Sequence, residues 1–236
     1  MNKAEITVLF DQMAPDYDSQ WANTAALRNC MYMLLESMFF ELPEDAHILC
    51  VGAGTGAELT FLAQKHPGWR FTAVEPSAAM LAICQQQAEK QGVASRCRFH
   101  HGYLESLTTT EPYDAATCFL VSQFILDERE RSLFFADISH KLKAGGLLAS
   151  ADLASDTDSP EYDVLLQSWM HMMSVAGLSS EALEYMRNAY KHDVGVMSPD
   201  RTAAVITAGG FALPVLFFQA GLMHAWTARK APNKRV

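Results

Sequence analysis

The stretch His47-Ile48-Leu49-Cys50-Val51-Gly52-Ala53-Gly54-Thr55-Gly56-Ala57-Glu58-Leu59 decides the fold. His47 to Val51 form a short, mostly apolar run of the length of a buried strand, three alternating glycines punctuate the turn, and a helix is expected from Ala57 to about Lys65. Such a strand-turn-helix corner lets a nucleotide approach the backbone closely, because glycine adopts positive φ and carries no side chain to collide with the ligand. Glu75 closes the next apolar run, Phe71-Thr72-Ala73-Val74, nineteen residues after Gly56. Its two carboxylate oxygens can accept both hydroxyls of a ribose, so an acid at this place marks an adenosine site.

Downstream, short apolar runs alternate with longer helical ones. A helix is expected from Ser77 to about Gln91, a strand at Cys97–His100, a strand at Tyr113–Phe119, a helix from about Glu130 to Leu142 ending at Gly145-Gly146, and a strand at Leu147–Ala151. That order argues for a parallel sheet covered by helices on both faces. Upstream, Ile6, Leu9, Phe10 and Met13 share one helical face ahead of Pro15. A second helix is expected from about Ser19 to Phe40, with Leu27, Met31, Leu34, Leu35 and Met38 on one side. Residues from Ser159 to Ala208 read as helical, broken near Gly177 and Ser198-Pro199, and are too long for a plain crossover; a lid or wall over the site is expected. Two closing strands, Leu213–Phe218 and Met223–Ala228, flank a turn at Ala220-Gly221 that can join only antiparallel neighbours. The expected class is therefore α/β: a doubly wound, mostly parallel seven-stranded sheet with an antiparallel last strand. It divides into a helical cap (1–46), a cofactor-binding core (47–152), a helical insert (153–210) and closing strands (211–230) of a single domain.

The glycine turn alone does not choose its ligand, since Gly52, Gly54 and Ala57 also satisfy the nicotinamide pattern GxGxx(G/A). Context decides: about 46 helical residues precede the first strand, and the antiparallel closing pair is foreign to the six-stranded dinucleotide sheet. Half of the 236 residues are apolar and the formal net charge is −9, a balance that disfavours nucleic acid as a partner. The basic residues Arg229, Lys230, Lys234 and Arg235 read as a solvated end. No apolar run suits a membrane span, and the amino end lacks a signal-peptide pattern, so a cytoplasmic protein is expected. The cysteines, five in number and scattered, are expected to be reduced, mostly buried thiols, and no metal is expected.

With these residues in place the chain resembles the class I S-adenosylmethionine-dependent methyltransferases. Phe10-Asp11-Gln12-Met13-Ala14-Pro15-Asp16-Tyr17-Asp18 is similar to their FDxxAxxYD opening. Ser122–Leu126, the Leu142–Gly146 turn and the order from Tyr162 to Ala228 resemble a branch holding the carboxy-S-adenosylmethionine synthases and related small-molecule methyltransferases. The resemblance implies S-adenosylmethionine as cofactor and S-adenosylhomocysteine as product. It implies contacts from Gly52, Ala53, Gly54, Thr55 and Gly56, the ribose on Glu75, and Pro76, Ser77 and Met80 near the adenine. The family usually has Gly-Asp after the third strand, where this chain has Gly102-Tyr103; Tyr103, the Leu104 backbone or Glu105 could take the place of the aspartate. Phe119 would floor the methionine moiety.

Methyl transfer is an in-line displacement, so holding donor and acceptor in line supplies much of the catalysis. Candidates for the acceptor wall are Tyr17, Trp21, Phe119, Phe124, Trp169, His171, Met172 and Met173. His171 is the candidate base, with a surface or structurally satisfied histidine as the competing reading. The stripe Leu166, Trp169, Met170, Met173 reads equally well as a core face. Asp11, Asp16 and Asp18 read as helix caps or solvated charges. Arg187 falls, by the resemblance, where a synthase would bind an extra carboxylate. The expected partner is a small-molecule acceptor, and a homodimer stays open. The alternatives are a carboxy-S-adenosylmethionine synthase and a non-catalytic cofactor-binding module.

Overall fold

The computed structural model describes residues 1–232. Its centre is one seven-stranded sheet in the order β3-β2-β1-β4-β5-β7-β6, built from β1 (His47–Val51), β2 (Arg70–Glu75), β3 (Cys97–His101), β4 (Tyr113–Phe119), β5 (Leu142–Leu153), β6 (Phe211–Ala220) and β7 (Met223–Lys230). The first five are mutually parallel, while β7 inserts antiparallel between β5 and β6. The chain order reverses between β1 and β4, which opens a crevice at the carboxyl ends of these two strands.

The helices are α1 (Lys3–Met13), α2 (Tyr17–Gln20), α3 (Ala25–Met38), α4 (Ala57–Lys65), α5 (Ala78–Lys90), α6 (Glu128–Lys141), α7 (Pro160–Val175), α8 (Ser180–His192) and α9 (Pro199–Ala208). One face of the sheet packs Ile48, Cys50, Phe71 and Ala73 against Leu59, Leu62 and Cys84. The other packs Leu49, Val51, Ala116 and Leu148 against Phe135, Ile138, Val205 and Ile206. Both faces of β1, β2 and β4 are thus dry, and these strands read as continuous apolar runs rather than alternating ones, while the edge strand β3 keeps exposed residues.

Several boundaries differ from expectation. The single helix expected from Ser19 to Phe40 is interrupted between α2 and α3, where a 3-10 turn spans Ala22–Thr24. Thr24 Oγ1 donates to the Trp21 carbonyl, and Asn23 Nδ2 reaches the Ala176 carbonyl in the insert at 2.7 Å, so a long-range contact holds the break. Strand β5 begins at Leu142, before the glycine pair rather than after it, and absorbs Gly145-Gly146 as a register shift against β4. The helical insert is three helices whose two interruptions fall near the expected Gly177 and Ser198-Pro199; the second, at residues 193–198, is pinned by Gly195 N donating to the Gln123 carbonyl. Arg229 and Lys230 are not a solvated end: they belong to β7, where Arg229 pairs with Glu41 and Lys230 Nζ donates to the Leu142 carbonyl. Lys234 and Arg235 lie outside the described residues. Among the described residues no helix is long and apolar enough to cross a membrane.

Candidate functional site

At the crevice the turn from β1 to α4 is held by backbone bonds. Gly52 N and Ala53 N both donate to the Val74 carbonyl, at 2.8 and 3.1 Å. Two of the glycines are required for different reasons. Gly52 sits at φ +65°, and a Cβ there would lie 2.4 Å from Val121 Cγ2. Gly54 sits at φ +53°, and its Cβ would meet nothing within 4 Å, so it faces the space a ligand would enter.

Glu75 is 6% exposed. One carboxylate oxygen accepts from Gly54 N and the other from Ser77 N, each at 2.9 Å. Burial pushes its pKa up, and those two N–H groups oppose the shift. A carboxylate offers about four lone-pair sites, so two stay free, one on each oxygen, beside the open space at Gly54. That geometry suits a pair of vicinal hydroxyls.

The cap is strapped onto this corner by side chains that local sequence reading takes for surface charges. Asp11 of α1 caps a helix other than its own: its Oδ1 accepts from Ser77 Oγ (2.6 Å) and Ala79 N (3.1 Å) at the start of α5. The Ser77 hydroxyl bond is the main reason its carboxyl stays below the usual range. Ser77 also accepts from Met80 N, so its hydroxyl is committed to capping, while the Met80 side chain is fully buried. Asp18 accepts from Thr55 Oγ1 at 2.7 Å, hooking α2 onto the glycine turn. Tyr103 donates its hydroxyl to the Lys3 carbonyl at 2.6 Å and lies 2.8 Å from Thr7 Oγ1, while Lys3 pairs with Glu105. Tyr103 therefore latches α1 to the end of β3. Leu104 buries its side chain in the core, and Pro76 offers its carbonyl to His101 Nε2 at 3.1 Å.

Tyr17 lies over the same corner, edge-on to Phe10 (6.5 Å) and Trp21 (6.3 Å). Burial first, then the charges of Asp18, Glu75 and Glu58, push its hydroxyl up to about 12. Phe119, the last residue of β4, stacks on Tyr32 at 6.0 Å. Trp21, Phe124 and Met172 pack half-buried around the cluster formed by Leu166, Trp169, Met170 and Met173. This stripe of α7 is a core face: Trp169 lies against Gly221 and donates its indole N–H to Tyr190. The indole N–H of Trp21 is buried and has no partner among the described residues.

His171 and Arg187 do not join this cluster. His171 projects exposed from α7, and Arg187 is exposed on α8 with its charge felt by Tyr162. The reason is helical phase, since Trp169, Met170 and Met173 occupy the buried side of α7.

A second polar group sits between the crevice and the insert. Arg131 of α6 and Asp152 of β5 are both fully buried. Asp152 accepts from Ser122 Oγ (2.8 Å) and Gln123 N (3.0 Å), and Leu153 N donates to Gln123 Oε1 at 2.9 Å. Arg131 donates to Ser122 Oγ and to the Gly195 carbonyl, each at 2.9 Å. Its Nη2 lies 3.1 Å from Asp152 Oδ2, charge-paired but outside hydrogen-bond alignment. Sequence reading passes over Arg131 inside the charged run Glu128-Arg129-Glu130-Arg131. The signal was its spacing to Phe135 and Ile138, four and seven residues on, along the apolar face.

Residues 48–146 match a family model described as a methyltransferase domain. Over 102 residues the chain is 33% identical to an uncharacterized protein of Synechococcus sp., a match covering 43% of this chain and 24% of that one, so the chain spans about a quarter of that relative's length. It is 26% identical over 203 residues to a trans-aconitate 2-methyltransferase of Streptomyces avermitilis, covering 85% of this chain and 71% of the relative. Among solved structures the cyclase SpnF superposes with a TM-score of 0.70 at 14% identity, covering 97% of this chain and 96% of that one.

Proposed function

We propose that the chain, whose residues 48–146 match a methyltransferase domain, is a class I methyltransferase that transfers a methyl group from S-adenosylmethionine to a small-molecule acceptor. The observation that carries this reading is Glu75, whose two oxygens each keep a lone pair free next to the open space at Gly54. The residues fit the cofactor: Gly52, Ala53, Gly54, Thr55 and Gly56 give the close approach and Glu75 receives the ribose. Pro76, Met80 and the Gly102–Leu104 turn border the adenine side, and Phe119 floors the methionine moiety. Ser77 and Tyr103 act one step back, as cap and latch.

When bound, S-adenosylmethionine would supply an electrophilic methyl group on a sulfonium for attack by the acceptor's lone pair, with S-adenosylhomocysteine as the leaving product. The chain's own part is positional. Tyr17, Trp21, Phe119 and Phe124 make an aromatic wall that excludes water and aligns the acceptor. The unpartnered indole N–H of Trp21 is a donor for a polar atom of the acceptor. The hydroxyl of Tyr17 keeps its proton up to about pH 12, so at neutral pH it can orient a ligand but not act as a base. The likeness to a trans-aconitate methyltransferase supports a small organic acceptor. The free thiols support a reducing, cytoplasmic setting. A synthase would need Arg187 at the pocket, and Arg187 is exposed on α8.

Because one fold serves many chemistries, transfer must be measured. The protein is incubated with methyl-labelled S-adenosylmethionine and a panel of small organic acids, phenols and amines, with products read by mass spectrometry. Label in a small product is the expected result. Label incorporated only into nucleic acid or protein, or carboxy-S-adenosylmethionine released from the purified protein, would overturn it.

A further inference from the structure

Glu58 stands in the first turn of α4, two residues past Gly56, and is 7% exposed. Helical spacing explains its burial: Phe61 and Leu62, three and four residues on, share its side of α4, and Phe61 packs on Tyr32 at 5.4 Å. A buried carboxylate is normally paired with a cation or fully hydrogen-bonded. Among the described residues Glu58 forms no salt bridge; the groups that favour its charge are the backbone N–H groups of Glu58 itself and Leu59 and, through its charge alone, Arg28.

The groups facing it come from every neighbouring element. Cys50 of β1, Glu75 of β2, Tyr17 of α2, Arg28 and Tyr32 of α3, and Cys84 of α5 all share its electrostatic surroundings. Asp18 acts alongside it on Tyr17. Only Arg28 in this set is cationic, against three acids, and Arg28 is half-buried. The corner therefore holds an excess of negative charge with too few cations to balance it, at the place where the glycine turn opens.

We propose that Glu58 is the counter-ion that receives the positively charged part of the donor, its α-ammonium or its sulfonium. The inference rests on the reading that S-adenosylmethionine binds at the glycine turn. Its chemistry follows from its surroundings. Burial, reinforced by Glu75, pushes Glu58 up to about 7, so near neutrality it is half protonated without ligand. A cation brought beside it favours the carboxylate, and the proton leaves to solvent as the ligand binds. The sign is fixed: affinity rises with pH as Glu58 ionises and levels off above its ligand-free pKa.

Titration calorimetry of wild-type protein with S-adenosylmethionine, in buffers of differing ionisation enthalpy between about pH 6 and 8, tests this. The expected result is release of close to one proton at the acid end, and a Kd about tenfold tighter at the alkaline end. E58Q should bind about tenfold more weakly than wild type at the alkaline end, and the two should converge at the acid end, where the wild-type residue is itself neutral. Glu75 is present in both proteins, so it cancels from their ratio. If E58Q folds poorly, Glu58→Met replaces the uncompensated carboxyl with an apolar chain, and it too should lose the proton release. S-adenosylhomocysteine, which keeps the ammonium but lacks the sulfonium, tells the two cations apart: an equal dependence on Glu58 assigns the ammonium, a dependence confined to S-adenosylmethionine the sulfonium. Tight binding with the same proton release in wild type and variants overturns the role of Glu58 alone. Failure of wild-type protein to bind S-adenosylmethionine overturns the donor site and this inference with it.

Discussion

The two halves of the crevice are built from different materials. On the proposed donor side, from Val51 to Gly56 and from Glu75 to Ser77, the polar groups are one carboxylate and the backbone N–H groups that hold it and the turn, each fixed within a few residues of a strand end. On the proposed acceptor side, the helices between residues 160 and 208 present side chains whose facing depends on packing; α8 buries no residue fully, and His171 and Arg187 project outward. The matched family region, 48–146, covers the glycine turn and Glu75 and stops before the insert. Backbone recognition constrains a short stretch tightly and leaves a motif, whereas a wall of packed side chains can be rebuilt with many residues.

Breaking the seam between the halves should have the largest effect. Arg131→Ala would leave Asp152 as a lone buried carboxylate and release Ser122 and Gly195, costing about 3–5 kcal/mol of stability. Urea unfolding checks it, and a loss under about 1 kcal/mol would mean that the halves are joined elsewhere. Next comes the donor side: Glu75→Ala should cost about 1–3 kcal/mol of S-adenosylmethionine binding, measured by calorimetry. Undiminished affinity would remove the ribose site from this corner.

Gly54→Ala separates stability from binding. A Cβ there meets no protein atom, so the positive φ alone should cost about 1–2 kcal/mol of stability. The methyl group nevertheless enters the ligand's space, and affinity should fall much further than the melting temperature suggests. Parallel thermal melts and binding titrations would show the divergence; equal losses would mean that the space at Gly54 is not used. The smallest effect is expected on the acceptor side, where His171→Ala should change stability by no more than about 0.5 kcal/mol. Its transfer rate should also stay near wild type. A loss of tenfold or more in kcat, with Kd for the donor unchanged, would restore His171 as a base and show that the insert reorients when an acceptor binds.

How much of this was legible in the sequence follows from the range of the interactions involved. The strand, glycine turn and helix at 47–65, the acid at Glu75, the alternation of strands and helices and the closing hairpin around Gly221 were all readable. Each depends on spacing, turn chemistry or apolar period within about ten residues. What the tertiary structure alone decided lies at longer range. Asp11 caps a helix that begins 67 positions later, at Ala78, and Tyr103 latches α1 across 100 positions. Arg131 sits in a run that looks like solvated charge, and Glu58 is a lone charge in an otherwise apolar stretch, yet both are buried. Local sequence states which side of a helix is apolar; only the assembled sheet, by placing a partner or a crevice beside a charge, decides whether that charge is a cap, a clamp or a receiver.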